Sequence, residues 1–118
     1  MYSPQQILDT YWDRSLPVNV EGIARTMGMD VQQKYLFNES GSIELMNDGK
    51  YVITVNATEN ELRRRFTIAH EIGHYALGHI DYHRRICRDD LNSLSTGNFN
   101  PYEREANKFA AELLMPER

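Results

Sequence analysis

The chain has 118 residues, 13 Lys and Arg against 17 Asp and Glu, a formal charge of −4, 41% hydrophobic residues and 25% charged ones. That length fits one domain and that composition is globular, which excludes a disordered or fibrous chain, while the acidic balance argues against sequence-independent binding to nucleic acid. Polar residues interrupt every apolar run well short of the roughly 18 residues that a membrane-spanning helix needs. The single cysteine, Cys87, cannot form an intrachain disulfide and no basic-then-apolar leader follows Met1, so a reducing cytoplasm is the expected setting.

The first element reads as a short amphipathic helix from Ser3 to about Arg14, with Ser3 as N-cap, Pro4 at the first helical position and Ile7, Leu8, Tyr11 and Trp12 as its apolar stripe. A second short helix begins after Val18 or Asn19 and stops at Gly28. Three strands are expected, around Asp30 to Phe37, Ser42 to Met46 and Lys50 to Val55. Between the last two, Asn47-Asp48-Gly49 suits a tight type I′ hairpin turn. The longest periodic segment runs from Thr58 to Gly78, with Thr58 and Glu61 spaced as a capping box and Leu62, Phe66, Ala69, Gly73, Ala76 and Leu77 on one side. From His79 to Asn98 the pattern supports at most a helical turn near Tyr82 to Arg88, followed by a Ser/Thr/Gly/Asn loop. A last helix opens with Asn100 as N-cap, Pro101 as first residue and Glu103 as capping-box partner, and carries Ala106, Phe109, Ala110, Leu113 and Leu114 as a buried stripe.

Chemistry concentrates in the long helix, at His70-Glu71-Ile72-Gly73-His74. A four-residue spacing rotates the two imidazoles by only about 40° round the helix, so both can reach one metal ion. Glu71 is rotated by about 100° from His70, beside the ligands, where its carboxylate can take a proton from water. An open catalytic zinc site requires a third protein ligand. Downstream candidates are His79, Asp81, His83, Asp89, Asp90, Glu103, Glu105 and Glu112. The metzincin pattern is excluded, because Leu77 and Ile80 stand where it requires glycine and histidine. A carboxylate from the first turns of the last helix is the better donor. Glu103 already has a local task as capping partner, so Glu105 is the expected third ligand and Glu103 its competitor. His79 and His83 could orient ligands or contact substrate, but loop histidines are more often simply polar surface and both stay unassigned; Cys87 reads as a small packing residue.

The run Arg65-Phe66-Thr67-Ile68-Ala69-His70-Glu71-Ile72-Gly73-His74-Tyr75-Ala76-Leu77-Gly78-His79, together with the block from Glu103 to Pro116, resembles the ImmA/IrrE family of zinc metallopeptidases. Val20 to Val31 is similar to that family's short helix and first strand, so the resemblance covers most of the chain. It implies an α+β, gluzincin-like (zincin-like) domain in which a small sheet with antiparallel pairs packs against the motif helix and a glutamate-bearing C-terminal helix. It also implies that His70, His74 and a glutamate of the last block hold Zn2+ while Glu71 activates water. Family members often act beside Xre-type helix-turn-helix repressors, in mobile elements, toxin-antitoxin-like modules or stress responses, and some cleave the repressor.

The expected protein is therefore a single ImmA/IrrE-like domain over residues 1–118, a cytoplasmic zinc endopeptidase acting on such a repressor or antitoxin. Direct nucleic-acid and membrane contacts are not expected. Relatives usually continue past the Leu-Leu-Met-Pro block, which fits a chain cut short after its last motif helix. A helix-turn-helix reading of Ile23 to Val31 fails, because Val31 to Phe37 reads as a strand where a recognition helix is needed. The rival function is a metal-stabilised module that sequesters its partner without cutting it. Glu71 weighs against it, being the residue that only catalysis requires.

Overall fold

The computed structural model describes residues 1–81, 85–90 and 101–116. The expected α+β architecture is observed. Helix α1 spans Pro4–Tyr11 and α2 Val20–Thr26; strands β1 (Asp30–Lys34), β2 (Glu39–Leu45) and β3 (Tyr51–Asn56) follow, then α3 (Glu61–Ala76), β4 (Ile86–Asp90) and α4 (Pro101–Leu114). Side-chain caps fix several of these starts. The Ser3 hydroxyl accepts from the Gln6 amide and the Gln6 side chain accepts from the Ser3 amide, while Asn19 Oδ1 accepts from Gly22 N–H and so opens α2. Helix α1 ends at Tyr11, because Trp12 is already extended, and Gly28 follows α2 with φ +91°.

The sheet has the order β1-β3-β2-β4, with β1 parallel to β3 and the other two pairings antiparallel. Its register aligns Val31 with Ile53, Ile53 with Ile43 and Ile43 with Cys87. All four are buried and form one row across the face covered by helices. Helix α3 lies on β2 and β3, with α2 on one flank and α4 on the other. Every residue from Thr67 to His74 is therefore buried, whichever way it points. Leu62, expected on the buried stripe, is 73% exposed because the first turn of α3 lacks this cover.

Four expectations are revised. Asn60, not Thr58, caps α3: its Oδ1 accepts from Arg63 N–H at 2.9 Å, and both the amide and the hydroxyl of Thr58 are taken up by Asn56 Oδ1. Asn56 also donates to the carbonyls of Leu36 and Glu39, so this buried amide ties the end of β3 to the segment before β2 and to the approach to α3. The hairpin joining β2 to β3 is not type I′. Gly49 N–H bonds the Met46 carbonyl, Met46 N–H bonds the Lys50 carbonyl, and only Gly49 (φ +87°) is left-handed, which is a three-residue turn closed by a glycine bulge.

The strand bounds also shift: β1 stops at Lys34, and β2 begins at Glu39. Finally, Ile86–Asp90 is a strand, where at most a helical turn was expected. Its order comes from antiparallel pairing with β2, a long-range contact that local periodicity does not encode. The expected loop over 93–98, the Asn100 cap and His83 lie outside the described residues.

Close approaches at two glycines position the site. A methyl group on Gly41 would stand 2.6 Å from Thr67 Cγ2, and one on Gly73 would stand 3.1 Å from Phe109 Cβ and 3.3 Å from the Ala106 carbonyl. Glycine inside a helix costs about 1 kcal/mol relative to alanine, and here the exchange is a tighter α3–α4 contact. The cap assignment predicts that Asn60→Ala lowers the unfolding free energy by about 1 kcal/mol at constant metal content, and that Asn60→Asp restores it, as read by urea denaturation.

Candidate metal centre

Helix α3 carries His70, Glu71 and His74 at the contact between the sheet and α4, and all three are fully buried. The two imidazoles meet edge to face, with ring centroids 4.6 Å apart and planes at 89°, and their Nε2 atoms lie 3.1 Å apart. Phe66, one turn earlier, lies alongside the His70 ring.

The first turn of α4 supplies the third group. Glu103 Oε2 is 2.8 Å from His70 Nε2, and Glu103 Oε1 is 3.3 Å from His74 Nε2. Lone pairs converging in this way repel one another unless a proton or a cation lies among them. Ligand atoms about 2.0–2.1 Å from a tetrahedral ion stand about 3.3 Å apart, and the two Nε2 atoms here are 3.1 Å apart. His70, His74 and Glu103 are thus placed to bind a metal ion, and they are the three-ligand group found among the described residues.

Glu105, the expected third donor, is elsewhere. Its side chain is 54% exposed, and its Oε2 lies 3.2 Å from His79 Nε2. Helical phase explains the difference. Glu103 precedes the fully buried Ala110 by seven residues, about 20° from it round the helix, whereas Glu105 is rotated by about 200° from Glu103. Only one of the two can face α3, and the stripe of Ala106, Ala110 and Leu113 selects Glu103. Of the other candidates, Asp81 and Glu112 are exposed, His79 contacts His74 from behind through a 2.9 Å Nδ1 to Nδ1 approach, and the side chains of Asp89 and Asp90 are outside the described residues.

Glu71 faces β2. Its Oε2 would stand 3.6 Å from a methyl group on Gly41, which places the carboxylate against the strand where glycine leaves room for it. Sequence reasoning missed Gly41. In sequence Gly41 reads as the last residue of a turn from Asn38, ahead of a strand starting at Ser42; in the structure it lies inside β2, where the β2–β4 register shifts between Glu39 and Gly41.

The model of the Peptidase M78 family, the IrrE N-terminal-like domain, matches residues 24–118, a span that contains both halves of this cluster. The chain belongs to that family. It is 27% identical to Metallopeptidase ImmA of Bacillus subtilis (strain 168) over a 125-position alignment that covers 95% of the chain and 70% of that protein. It is also 35% identical over 68 residues to Uncharacterized immunity region protein 2 of Bacillus phage phi105, across 58% of the chain and 39% of the phage protein's length.

Elemental analysis of protein purified without chelators and saturated with metal separates the two glutamates. Wild type is expected to hold about one ion per chain, as is Glu105→Ala, while Glu103→Ala and His74→Ala lose it. Retention in Glu103→Ala together with loss in Glu105→Ala would refute the assignment.

Proposed function

We propose that this chain is a zinc-dependent endopeptidase whose metal is held by His70, His74 and Glu103 and whose general base is Glu71. The observation that carries the reading is the convergence of two imidazole nitrogens and a carboxylate on one buried point, with Glu71 buried on the same helix and next to His70 in sequence. Three protein ligands leave a fourth position for water or substrate, which is the pattern of a catalytic site; a structural zinc is closed by four. Bound zinc supplies Lewis-acid polarisation of the scissile carbonyl and makes water a better proton donor.

The chain's own groups do the rest. His70 and His74, fixed by burial in α3, present Nε2 lone pairs with little freedom to reorient, and Glu103 adds the negative charge that favours a divalent cation. Glu71 accepts the proton of the attacking water on its carboxylate and delivers it to the leaving amine nitrogen. That carboxylate is buried and lies against Gly41 of β2.

The substrate we infer is a regulatory protein, an Xre-type helix-turn-helix repressor or an antitoxin, acted on in the cytoplasm. Family membership and the names of the two relatives, a metallopeptidase and an immunity region protein, support this choice. No helix among the described residues is long and apolar enough to cross a membrane, which is compatible with that setting.

Glu71→Gln is expected to keep its metal and its fold while cleavage of a purified Xre-type repressor falls by at least about 100-fold. Full activity in that variant would refute the mechanism, and absence of repressor cleavage by metal-loaded wild type would refute the substrate.

A further inference from the structure

We propose that His79 and Glu105 form an outer chain of hydrogen bonds that sets the tautomer of His74, making His79 a positioning residue for the metal site. The inference rests on the metallopeptidase reading above for its purpose, though its geometry stands by itself. His74 has two ring nitrogens in different surroundings: Nε2 faces His70 and Glu103 at 3.1 and 3.3 Å, and Nδ1 faces His79 Nδ1 at 2.9 Å. His79 Nε2 in turn lies 3.2 Å from Glu105 Oε2.

The proton assignment follows from that order. A neutral imidazole carries one N–H and one lone pair. If His74 is to offer its lone pair from Nε2, its proton sits on Nδ1 and is donated to His79. His79 must then accept at Nδ1, so its own proton sits on Nε2 and points at Glu105, whose carboxylate only accepts. Every N–H along this chain finds an acceptor. The opposite arrangement places an N–H of His79 toward His74, which draws the His74 proton to the nitrogen that should hold metal. Glu105, the carboxylate that the sequence favoured as a ligand, thus acts one histidine away from the ion.

Local structure holds His79 where this requires. Helix α3 ends in a left-handed glycine, Gly78 with φ +76°, whose N–H bonds the Tyr75 carbonyl, while His79 N–H bonds back to the carbonyl of His74. This reversal at the helix end returns the residue after the glycine to the last turn, so His79 is tied to His74 through backbone and side chain together. The Tyr102 ring, at the start of α4, packs on the His79 ring with centroids 4.6 Å apart, and the His79 side chain is 4% exposed.

Two readouts test the proposal: zinc affinity by chelator competition, and the ring-nitrogen tautomer of His74 in metal-free protein by two-bond 15N–1H correlation NMR. Wild type should carry the His74 proton on Nδ1. His79→Leu should weaken zinc binding by about 10- to 100-fold and shift the proton toward Nε2. His79→Asn, whose Oδ1 can accept from His74 Nδ1, should recover most of both, and the surface substitution Glu105→Ala should weaken zinc by up to about tenfold at unchanged stoichiometry. Wild-type affinity and an unchanged tautomer in both His79→Leu and Glu105→Ala would overturn the proposal. Because the tautomer is read without metal, a wild type that takes up no zinc would defeat the metallopeptidase reading alone.

Discussion

The contact between α3 and α4 at Gly73 is the constraint on which the site depends. Gly73 sits between His70 and His74 on the motif helix, and a side chain there would press on Phe109 and on the Ala106 carbonyl. With hydrogen in its place, the two helices approach closely enough for a glutamate side chain from the first turn of α4 to reach both imidazole nitrogens. A residue between the two histidines in sequence therefore also admits the helix that brings the third member of the cluster. On the opposite side of α3, Gly41 allows β2 to come just as near and leaves space for Glu71. Glycines on two sides of one helix thus set the depth at which four ionisable side chains are buried.

Burying those groups is expensive unless their charges and lone pairs are matched. Glu103 lies against two histidines, and His79 stands between His74 and the half-exposed Glu105, so polar contacts run from the interior to the surface without a break. Membership of the IrrE N-terminal-like domain family agrees with a cluster built for a metal ion. The helix cap at Gly78 contributes by folding His79 back onto the motif, so the end of α3 belongs to the site as much as its middle.

Much of this was legible in the sequence, and the parts that were not share a cause. Ser3, Pro4 and Gly28 mark helix ends through interactions within a few residues, and the spacing of His70 and His74 follows from helical period alone. Strand β4 depends on β2, more than forty residues away, and composition near Ile86 gives no sign of that pairing. That Glu103 and not the expected Glu105 joins the histidines has a subtler reason. A capping rule assigned Glu103 a local task and left Glu105 available, but the phase of Glu103 relative to Ala110 already turned it toward the core. The strand pattern ends at Val55, and nothing in it marks Asn56, whose four hydrogen bonds join segments that sequence proximity does not connect.

The central claim is that one buried ion is shared by His70, His74 and Glu103. Zinc-edge anomalous diffraction from crystals of the zinc-loaded protein tests it most directly. The account predicts a single strong peak bonded to both Nε2 atoms and to the Glu103 carboxylate at about 2.0–2.2 Å, with Glu105 reaching only His79. A peak ligated by Glu105, or zinc found only at the protein surface while this cluster stays closed on itself, would contradict it.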